Sequence, residues 1–263
     1  MTRSQTWKLR DRMLSDPKNR SHGVVIGALG NLGPTWVDCY LQLFAEVTAV
    51  VEADQVELAR QTFGENGRLH VATVDVSNED SVRRLADRFS RTSRRVDALV
   101  LNAGVDVPPS VEARADVRPI VDVNLLGAMY VFAVFQDLVI DGGAIVLIGS
   151  MYADLAPRPS NYAHLPDFVK NPAYGATKAA CLSLVRQYAG LLGHRGVRVN
   201  MLSPGGIETG QDVEFRERFT RHVPMARMGG AHELRGALAF LSGSSSTYVT
   251  GNNLHVDGGV HVW

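Results

Sequence analysis

The stretch Gly23-Val-Val-Ile-Gly-Ala-Leu-Gly-Asn-Leu-Gly33 places a short apolar strand before a glycine-rich turn, and an apolar helix with Trp36 and Phe44 follows it. Glycine permits a tight turn and lets backbone N–H groups approach a phosphate at the start of a helix. A glycine pattern alone is weak evidence, but this one has a strand before it and a helix after it, which favours a dinucleotide-binding turn. The simpler interpretation is a plain glycine-rich turn.

Apolar strands alternate with helices along the rest of the chain. Strands are predicted at residues 23–26, 47–51, 69–74, 96–101, 144–148, 197–202 and 253–256, and helices at 55–63, 81–89, 117–138, from 174 onward and at 232–241. Strands this apolar indicate a parallel sheet covered by helices on both faces. We therefore expect an α/β, Rossmann-type doubly wound fold as a single domain over residues 23–263, after a polar N-terminal extension at 1–22. Ligands bind such folds at the carboxyl ends of the strands.

The charge balance and the cysteines exclude several classes of protein. The 263 residues carry 27 acidic and 27 basic side chains, so nothing favours nucleic acid or an anionic membrane as a partner. The N-terminal residues lack the apolar core of a signal peptide, and we expect no segment to span a bilayer. Cys39 and Cys181 lie far apart and offer neither metal spacing nor a disulfide framework. We expect a cytoplasmic protein without a metal site, whose two cysteines are small core residues.

A tyrosine and a lysine stand four residues apart in Tyr174-Gly-Ala-Thr-Lys178, at the start of a helical run. Residues at this spacing share one face of a helix. A neighbouring ammonium favours the phenolate, so we expect Lys178 to lower the Tyr174 pKa from its usual value near ~10. Such a tyrosine can exchange a proton with an alcohol or a carbonyl. Without further motifs, an ordinary amphipathic helix start is the simpler interpretation.

A carboxylate follows the second predicted strand. Asp54 could accept hydrogen bonds from the adenosine ribose and would repel a 2′-phosphate, and the glycine turn carries no Arg or Lys to pair such a phosphate. These features favour NAD over NADP. Glu52 is the rival for this role, and Asp54 could instead cap the helix that follows it.

With these motifs the chain resembles the short-chain dehydrogenase/reductase family across almost everything after residue 22. The matching segments, in the family's order, are the glycine turn, Asp75-Val76, Asn102-Ala-Gly104, Asn124, Ser150, Tyr174 with Lys178, Pro204-Gly-Gly-Ile-Glu-Thr209 and Val256-Asp-Gly-Gly259.

The resemblance implies a catalytic set and a cofactor site. Tyr174 would be the general acid/base, and Lys178 would lower its pKa and hold the nicotinamide ribose. Ser150 would hydrogen-bond the substrate oxygen, and Asn124 would hold a water for proton relay. Without the resemblance, Ser150 would be a turn cap and Asn124 a side chain that satisfies a helix kink. The implied cofactor-binding residues are Gly27, Gly30, Asn31, Leu32, Gly33, Asp54, Asp75, Val76, Asn102, Ala103, Gly104, Tyr174, Lys178, Pro204, Gly205, Ile207 and Thr209.

The glycine turn departs from the family pattern in two places. Ile26-Gly27 stands where the family has Thr-Gly, and Asn31 stands at its middle glycine, with Gly30 one residue earlier. Asparagine tolerates left-handed backbone better than most residues, so we expect the turn to survive. Cofactor affinity is the property that these departures affect.

A long, proline-rich insertion over residues 154–172 separates Ser150 from Tyr174. Long ordered loops at strand ends usually shape a site. With the Asn-Leu-Gly-Pro turn and the Gly-Val-His-Val-Trp263 ending, the insertion resembles a subgroup found with bacterial cell-surface sugar and oligosaccharide genes. Two features stay open between substrate contact and solvated surface. They are the insertion residues Tyr162 and His164 and the basic run Arg216, Arg218, Arg221 and His222.

These observations predict an NAD(H)-dependent oxidoreductase that interconverts a secondary alcohol and a ketone, with a sugar, amino sugar or nucleotide-linked sugar as the favoured substrate. The resemblance implies a homodimer or homotetramer. Three alternatives stay open: a ketoacyl or polyketide-type ketoreductase, a sugar-nucleotide epimerase or dehydratase, and a non-catalytic NAD-binding scaffold.

Overall fold

A parallel sheet organises the chain in the computed structural model, which describes residues 21–92, 95–106, 116–165 and 170–263. Residues 1–20 of the predicted extension lie outside the described residues. Seven strands within the described part pair in the order β3-β2-β1-β4-β5-β6-β7, and every neighbouring pair is parallel. The strands are β1 His22–Ile26, β2 Glu46–Val51, β3 Leu69–Thr73, β4 Val96–Leu101, β5 Val139–Ile148, β6 Arg198–Pro204 and β7 Asn253–Val256. The predicted doubly wound fold is confirmed.

Helices cover both faces of this sheet. They are α1 Gly33–Leu43, α2 Val56–Phe63, α3 Glu79–Arg91, α4 Arg118–Val121, α5 Gly127–Phe135, α6 Pro172–Leu192, α7 Val213–Thr220 and α8 Arg235–Ser242. One core layer packs Phe89, Phe132 and Val185 against the sheet, and the other packs Trp36 and Leu238 against its opposite face. The order of strands reverses between β1 and β4, so the crevice at their carboxyl ends is where such a fold binds ligands.

Both cysteines are buried, free thiols. Cys39 lies in the core layer that contains Trp36, and Cys181 lies in the layer that contains Phe132. Their side chains are 4% and 1% exposed, so the prediction that they are small core residues is confirmed.

Two predicted boundaries are wrong. β5 begins at Val139 rather than Ala144, because Gly142 takes a φ of 78° and the register with β4 shifts, so the glycines extend the strand. The predicted helix over residues 117–138 runs without a break from Arg118 to Phe135, so it ends three residues early, and it includes a π-helical segment, Asp122–Leu126, between α4 and α5. Such segments often mark functional sites.

The run Arg118–Phe135 is long and apolar enough to cross a membrane, with 18 residues and a mean hydropathy of 1.4. The expectation that no segment meets this criterion is therefore wrong by length and composition. In the structure Ile120, Phe132 and Phe135 of this run are fully buried in the protein, a property that core helices share.

The glycine turn between β1 and α1 is held by close backbone contacts. Gly27 has a φ of 83°, and the N–H groups of Gly27 and Ala28 both donate to the Val50 carbonyl, at 3.0 and 3.1 Å. A Cβ at Gly33 would lie 2.3 Å from the Ala28 carbonyl carbon. Asn31 does not take a positive φ. The turn therefore survives for a different reason from the one predicted: its left-handed residue is Gly27.

Replacement of Gly33 by alanine should destabilise the protein by about 1–3 kcal/mol, because the added methyl overlaps backbone that is held in place. Gly190 is the matched control. It lies in α6 with open space around its Cα, so Gly190→Ala should stabilise by about 0.5–1 kcal/mol through helix propensity. Urea-induced unfolding followed by circular dichroism measures both effects. Equal stability of Gly33→Ala and the unmodified protein would contradict the account of this turn.

Candidate active site

A cleft of about 640 Å³ opens at the carboxyl ends of the central strands. It gathers residues from the glycine turn, from the ends of β4, β5 and β6, and from the start of α6. The predicted site residues that line it are Gly30, Asn31, Leu32, Asn102, Gly104, Ser150, Tyr174, Lys178, Pro204, Gly205, Ile207 and Thr209. The fold therefore brings most of the predicted set to one place.

Three of the four predicted catalytic side chains meet in this cleft. Ser150 follows β5, and its hydroxyl accepts a hydrogen bond from the Tyr152 N–H at 3.2 Å and hydrogen-bonds to the Tyr174 side chain. Lys178 lies one helical turn after Tyr174 and donates to the Ile148 carbonyl at 3.0 Å. Ser150 is therefore a turn cap and also a partner of the phenol. Its hydrogen bond to a substrate oxygen stays a prediction.

The expected effect of Lys178 on Tyr174 is wrong for the protein without cofactor. Burial raises the pKa of Tyr174 to about 12, against the lowering effect of the hydrogen bond from Ser150. Burial also lowers the pKa of Lys178, whose side chain is enclosed. The Lys178 ammonium lies 5.7 Å from the centre of the Tyr174 ring, and its proton donation to Ile148 turns it toward the strand. Removal of the Tyr174 phenol from water therefore has a larger effect on its pKa than the nearby Lys178 ammonium, on which the prediction from the spacing was based.

Asn124 is buried on the π-helical segment and binds backbone rather than open cleft. Its Oδ1 accepts from the Val105 N–H at 2.7 Å, and its Nδ2 donates to the Val105 carbonyl at 2.9 Å. The Cys181 thiol donates to the Asn124 carbonyl at 3.1 Å. These contacts fix the segment that follows β4 against α6. The relay role of Asn124 stays a prediction.

Asn102 connects the end of β4 to the glycine turn. Its Nδ2 donates to the Gly27 carbonyl at 2.8 Å, and its Oδ1 accepts from the Trp36 indole at 2.8 Å. A Cβ at Gly27 would lie 2.5 Å from the backbone nitrogen of Ala103, so the two chains pass closely there. No side chain caps the first turn of α1 at Leu32, which leaves that helix start open to an anionic ligand. These features fit a dinucleotide pyrophosphate.

A second cavity of about 210 Å³ adjoins the cleft and shares Gly30, Asn102 and Gly104 with it. Its lining includes Val76 and, at the end of β2, Glu52; the predicted Gly27 and Ala103 line it too. Asp54 is absent from this lining and lies exposed on the turn before α2. Glu52, the rival residue, lines the cavity, and it is exposed as well.

Three further predicted residues line neither cavity. Asp75 accepts hydrogen bonds from the Ser77 N–H and hydroxyl, at 2.9 and 2.6 Å, and so closes a local turn. Gly33 permits the packing of the glycine turn, and Asn124 lies behind the cleft wall. These residues support the site from outside it.

The wall opposite the glycine turn is formed by the predicted segment after β6. Thr209 is held by Gln211, whose Oε1 accepts from the Thr209 N–H at 2.9 Å. A Cβ at Gly205 would lie 2.6 Å from Asp257, which explains a glycine at that position beside the C-terminal motif.

Several cleft residues carried no signal in the sequence. Asp106 and Lys170 form an ion pair within the cleft, and Tyr152 stands edge-on to Tyr174 at 6.4 Å between ring centres. None belongs to a family motif, and Asp106 and Lys170 become neighbours only through the fold. In the sequence, only the length of the insertion indicated that residues of this loop would reach the site.

The insertion residues and the basic run were predicted to be either substrate contacts or solvated surface, and the structure places them differently. Tyr162 lines the cleft, and His164 lies 3.2 Å from Asp212 at the start of α7. Arg216 pairs with Glu208 at 2.6 Å, and Arg218 pairs with Glu214 at 2.7 Å. Neither arginine lines the cleft. These contacts favour a solvated helix face for the basic run.

Comparisons with known proteins agree with this geometry. Residues 43–261 match the family model described as Enoyl-(Acyl carrier protein) reductase. The chain is 31% identical over 207 residues to a glucose 1-dehydrogenase of Gluconobacter oxydans, which covers 75% of this chain and 74% of that protein. It is similar to a short chain dehydrogenase from Leptospira borgpetersenii with bound NAD+, at 27% identity and a TM-score of 0.77 over 92% of each chain. A gluconate 5-dehydrogenase from Burkholderia cenocepacia in complex with NADP and tartrate is also 27% identical, at a TM-score of 0.81 over 97% of this chain and 99% of that one.

Replacement of Asn102 by aspartate should weaken NADH binding and destabilise the fold by about 1–3 kcal/mol, because a carboxylate cannot donate to the Gly27 carbonyl. Trp36→Phe is the control: it removes the indole donor to Asn102 and leaves the Gly27 bond in place. Isothermal titration with NADH should therefore show a larger loss of affinity in Asn102→Asp than in Trp36→Phe. Equal affinities in the two variants would contradict the role given to the Gly27 contact.

Proposed function

The chain belongs to the short-chain dehydrogenase/reductase family and is an oxidoreductase acting on CH–OH groups, and we propose that it interconverts a sugar alcohol and its ketone with NAD(H). The observation that carries the proposal is that Ser150, Tyr174 and Lys178 line the same cleft as the glycine turn.

The three side chains divide the work on the reacting oxygen. Ser150 donates a hydrogen bond to the substrate oxygen and so stabilises the negative charge that develops there, while keeping its own proton. Tyr174 passes its phenol proton to that oxygen in reduction and takes a proton from it in oxidation. A bound nicotinamide supplies or accepts the hydride. Lys178, held by the Ile148 carbonyl one helical turn after Tyr174, adds positive charge to the cleft and would hold the nicotinamide ribose.

The raised pKa of Tyr174 gives the reaction a pH dependence. With a pKa of about 12, the phenol is protonated near neutral pH and is ready to act as an acid in ketone reduction. Alcohol oxidation needs the phenolate, so its rate should rise with pH.

Glu52 supports NAD as the preferred cofactor. Glu52 follows directly after β2, lines the second cavity and stands two residues before Asp54. A carboxylate there accepts from the ribose hydroxyls and repels a 2′-phosphate. Glu52, rather than Asp54, would therefore be the residue that discriminates between NAD and NADP.

The lining of the cleft supports a polyhydroxylated substrate. The hydroxyls of Tyr152 and Tyr162 lie 3.1 Å apart, and the Tyr162 ring packs 5.3 Å from Phe215. Aromatic faces with polar edges suit a sugar, which is apolar on its C–H faces and polar at its rim. The glucose and gluconate dehydrogenases among the similar proteins point to the same chemistry.

We also propose a cytoplasmic homodimer or homotetramer. An apolar groove lined by Val117, Val121, Leu125 and Ala173 runs along α4 and the start of α6, and Leu191 near the end of α6 is 59% exposed. Exposed apolar surface of this kind suits a contact between subunits.

A reductase of acyl thioesters is the second candidate, because the matching family model is described as Enoyl-(Acyl carrier protein) reductase. Activity with acyl carrier protein substrates and NADPH, rather than with sugars and NAD, would favour it.

Tyr174→Phe should reduce turnover at least about 10²-fold, in the range expected for loss of a general acid/base, while NADH affinity stays near normal. The variant keeps the ring and removes only the hydroxyl. Steady-state rates with a panel of sugars and polyols, together with fluorescence titration of NADH, measure the two properties. Full activity in the variant would remove Tyr174 from the mechanism.

Glu52→Gln should reduce the preference for NADH over NADPH by about tenfold. The substitution removes the repulsion between the Glu52 carboxylate and the 2′-phosphate of NADPH, which we take as about 1–2 kcal/mol. Asp54→Asn is the matched control and should leave the ratio unchanged, because Asp54 is exposed outside the cavity. Fluorescence titrations with both cofactors give the ratio. A change in Asp54→Asn and none in Glu52→Gln would restore the original prediction.

A further inference from the structure

An ion pair between Lys170 and Asp106 lies inside the cleft, and neither residue belongs to the catalytic set described above. Asp106 lies in the segment after β4, and Lys170 lies two residues before the start of α6. The Lys170 ammonium contacts the Asp106 carboxylate, and the two side chains are 18% and 33% exposed. Both line the cleft beside the catalytic residues.

Lys170 is the ammonium nearer to the catalytic ring. Its Nζ lies 5.0 Å from the centre of the Tyr174 ring, compared with 5.7 Å for the Nζ of Lys178. It also lies 5.4 Å from the centre of the Tyr152 ring, which stands at 80° to the Tyr174 ring. Lys170 is therefore held between two aromatic rings and a carboxylate, at a distance where a cation interacts with a ring.

We propose that Lys170 and Asp106 are positioning residues that set the protonation of Tyr174: Lys170 favours the phenolate, and Asp106 cancels that charge. The inference rests on the proposed role of Tyr174 as the general acid/base. It assigns to the insertion a part in proton transfer as well as in the shape of the cleft.

The charges of Lys170 and Asp106 determine the direction in which each of them shifts the pKa of Tyr174. A cation close to the ring favours the phenolate, and a carboxylate beside it favours the phenol. The Asp106 carboxylate contributes to the raised pKa of Tyr174, after burial. Because the pair is neutral as a whole, removal of either member leaves one unbalanced charge beside Tyr174. The other titratable or polar groups around Tyr174 are Ser150, Tyr152, Tyr162 through Tyr152, and Lys178.

Substitution of the two members should shift the apparent pKa of Tyr174 in opposite directions. Asp106→Asn leaves the ammonium unbalanced and should lower the pKa that governs kcat/KM for alcohol oxidation by about 0.5–1 pH unit. Lys170→Met leaves the carboxylate unbalanced and should raise that pKa by a similar amount. The double variant should return close to the value of the unmodified protein, and Lys170→Arg, which keeps the charge, should shift it little.

The matched control is Asp141→Asn. Asp141 pairs with Arg195 at 2.9 Å near the start of β5, at the far end of that strand from Ser150. Loss of one carboxylate there should leave the pH profile unchanged. A shift equal to that of Asp106→Asn would show a general charge effect and would overturn the proposal.

A direct measurement separates this inference from the proposed function. The Cζ resonance of ¹³C-labelled Tyr174, assigned by its loss in Tyr174→Phe, is followed from neutral pH to the highest pH at which circular dichroism shows an intact fold. Onset of its titration should come at lower pH in Asp106→Asn and at higher pH, or beyond the range, in Lys170→Met. Unchanged titration in both variants would overturn the proposal even if turnover is normal. Opposite shifts of the resonance without matching shifts in kcat/KM would support the charge pair and contradict the general acid/base role of Tyr174.

Discussion

The side chain of Asn102 is the contact on which the site depends most. Its amide donates to the Gly27 carbonyl and accepts from the Trp36 indole, so one residue at the end of β4 joins the glycine turn to α1. β1 and β4 are neighbours in the sheet, and the crevice opens at their carboxyl ends, where the strand order reverses. An amide is suited to this place because it donates and accepts at once. The start of α1, to which we assign the pyrophosphate, is thereby fixed relative to the strand that carries the cleft.

Burial explains most of the electrostatics in the cleft. Lys178 is buried and Tyr174 is half-buried, and burial disfavours the charged form of each, so the pKa of Tyr174 rises and the pKa of Lys178 falls. The spacing of the two residues along a helix indicates their proximity but not the solvent that the fold removes. The same limit applies to Lys170 and Asp106, whose contact joins positions 64 residues apart.

The sequence predicted the fold and most of the cleft because their signals are local. Strand-turn-helix order, the i, i+4 spacing of Tyr174 and Lys178, and short motifs at strand ends each depend on a few adjacent residues. The errors occurred where the outcome depends on distant contacts. The extension of β5 through Gly142, for example, depends on its register with β4. Such features are set by tertiary packing, which local propensity does not contain.

The order of the strands has a consequence for how the enzyme gains its activity. Strands that follow one another in the chain are joined by helical crossovers, and the cleft takes residues from Gly30 to Met228. No contiguous fragment contains the glycine turn, Asn102, Ser150 and Tyr174 without most of the sheet. Parallel pairing of distant segments forms slowly, because the chain loses the entropy of loop closure before the long-range contacts stabilise it. Catalytic competence therefore comes late in folding, and recovered turnover after dilution from denaturant would report complete assembly of the central sheet rather than collapse of any one part.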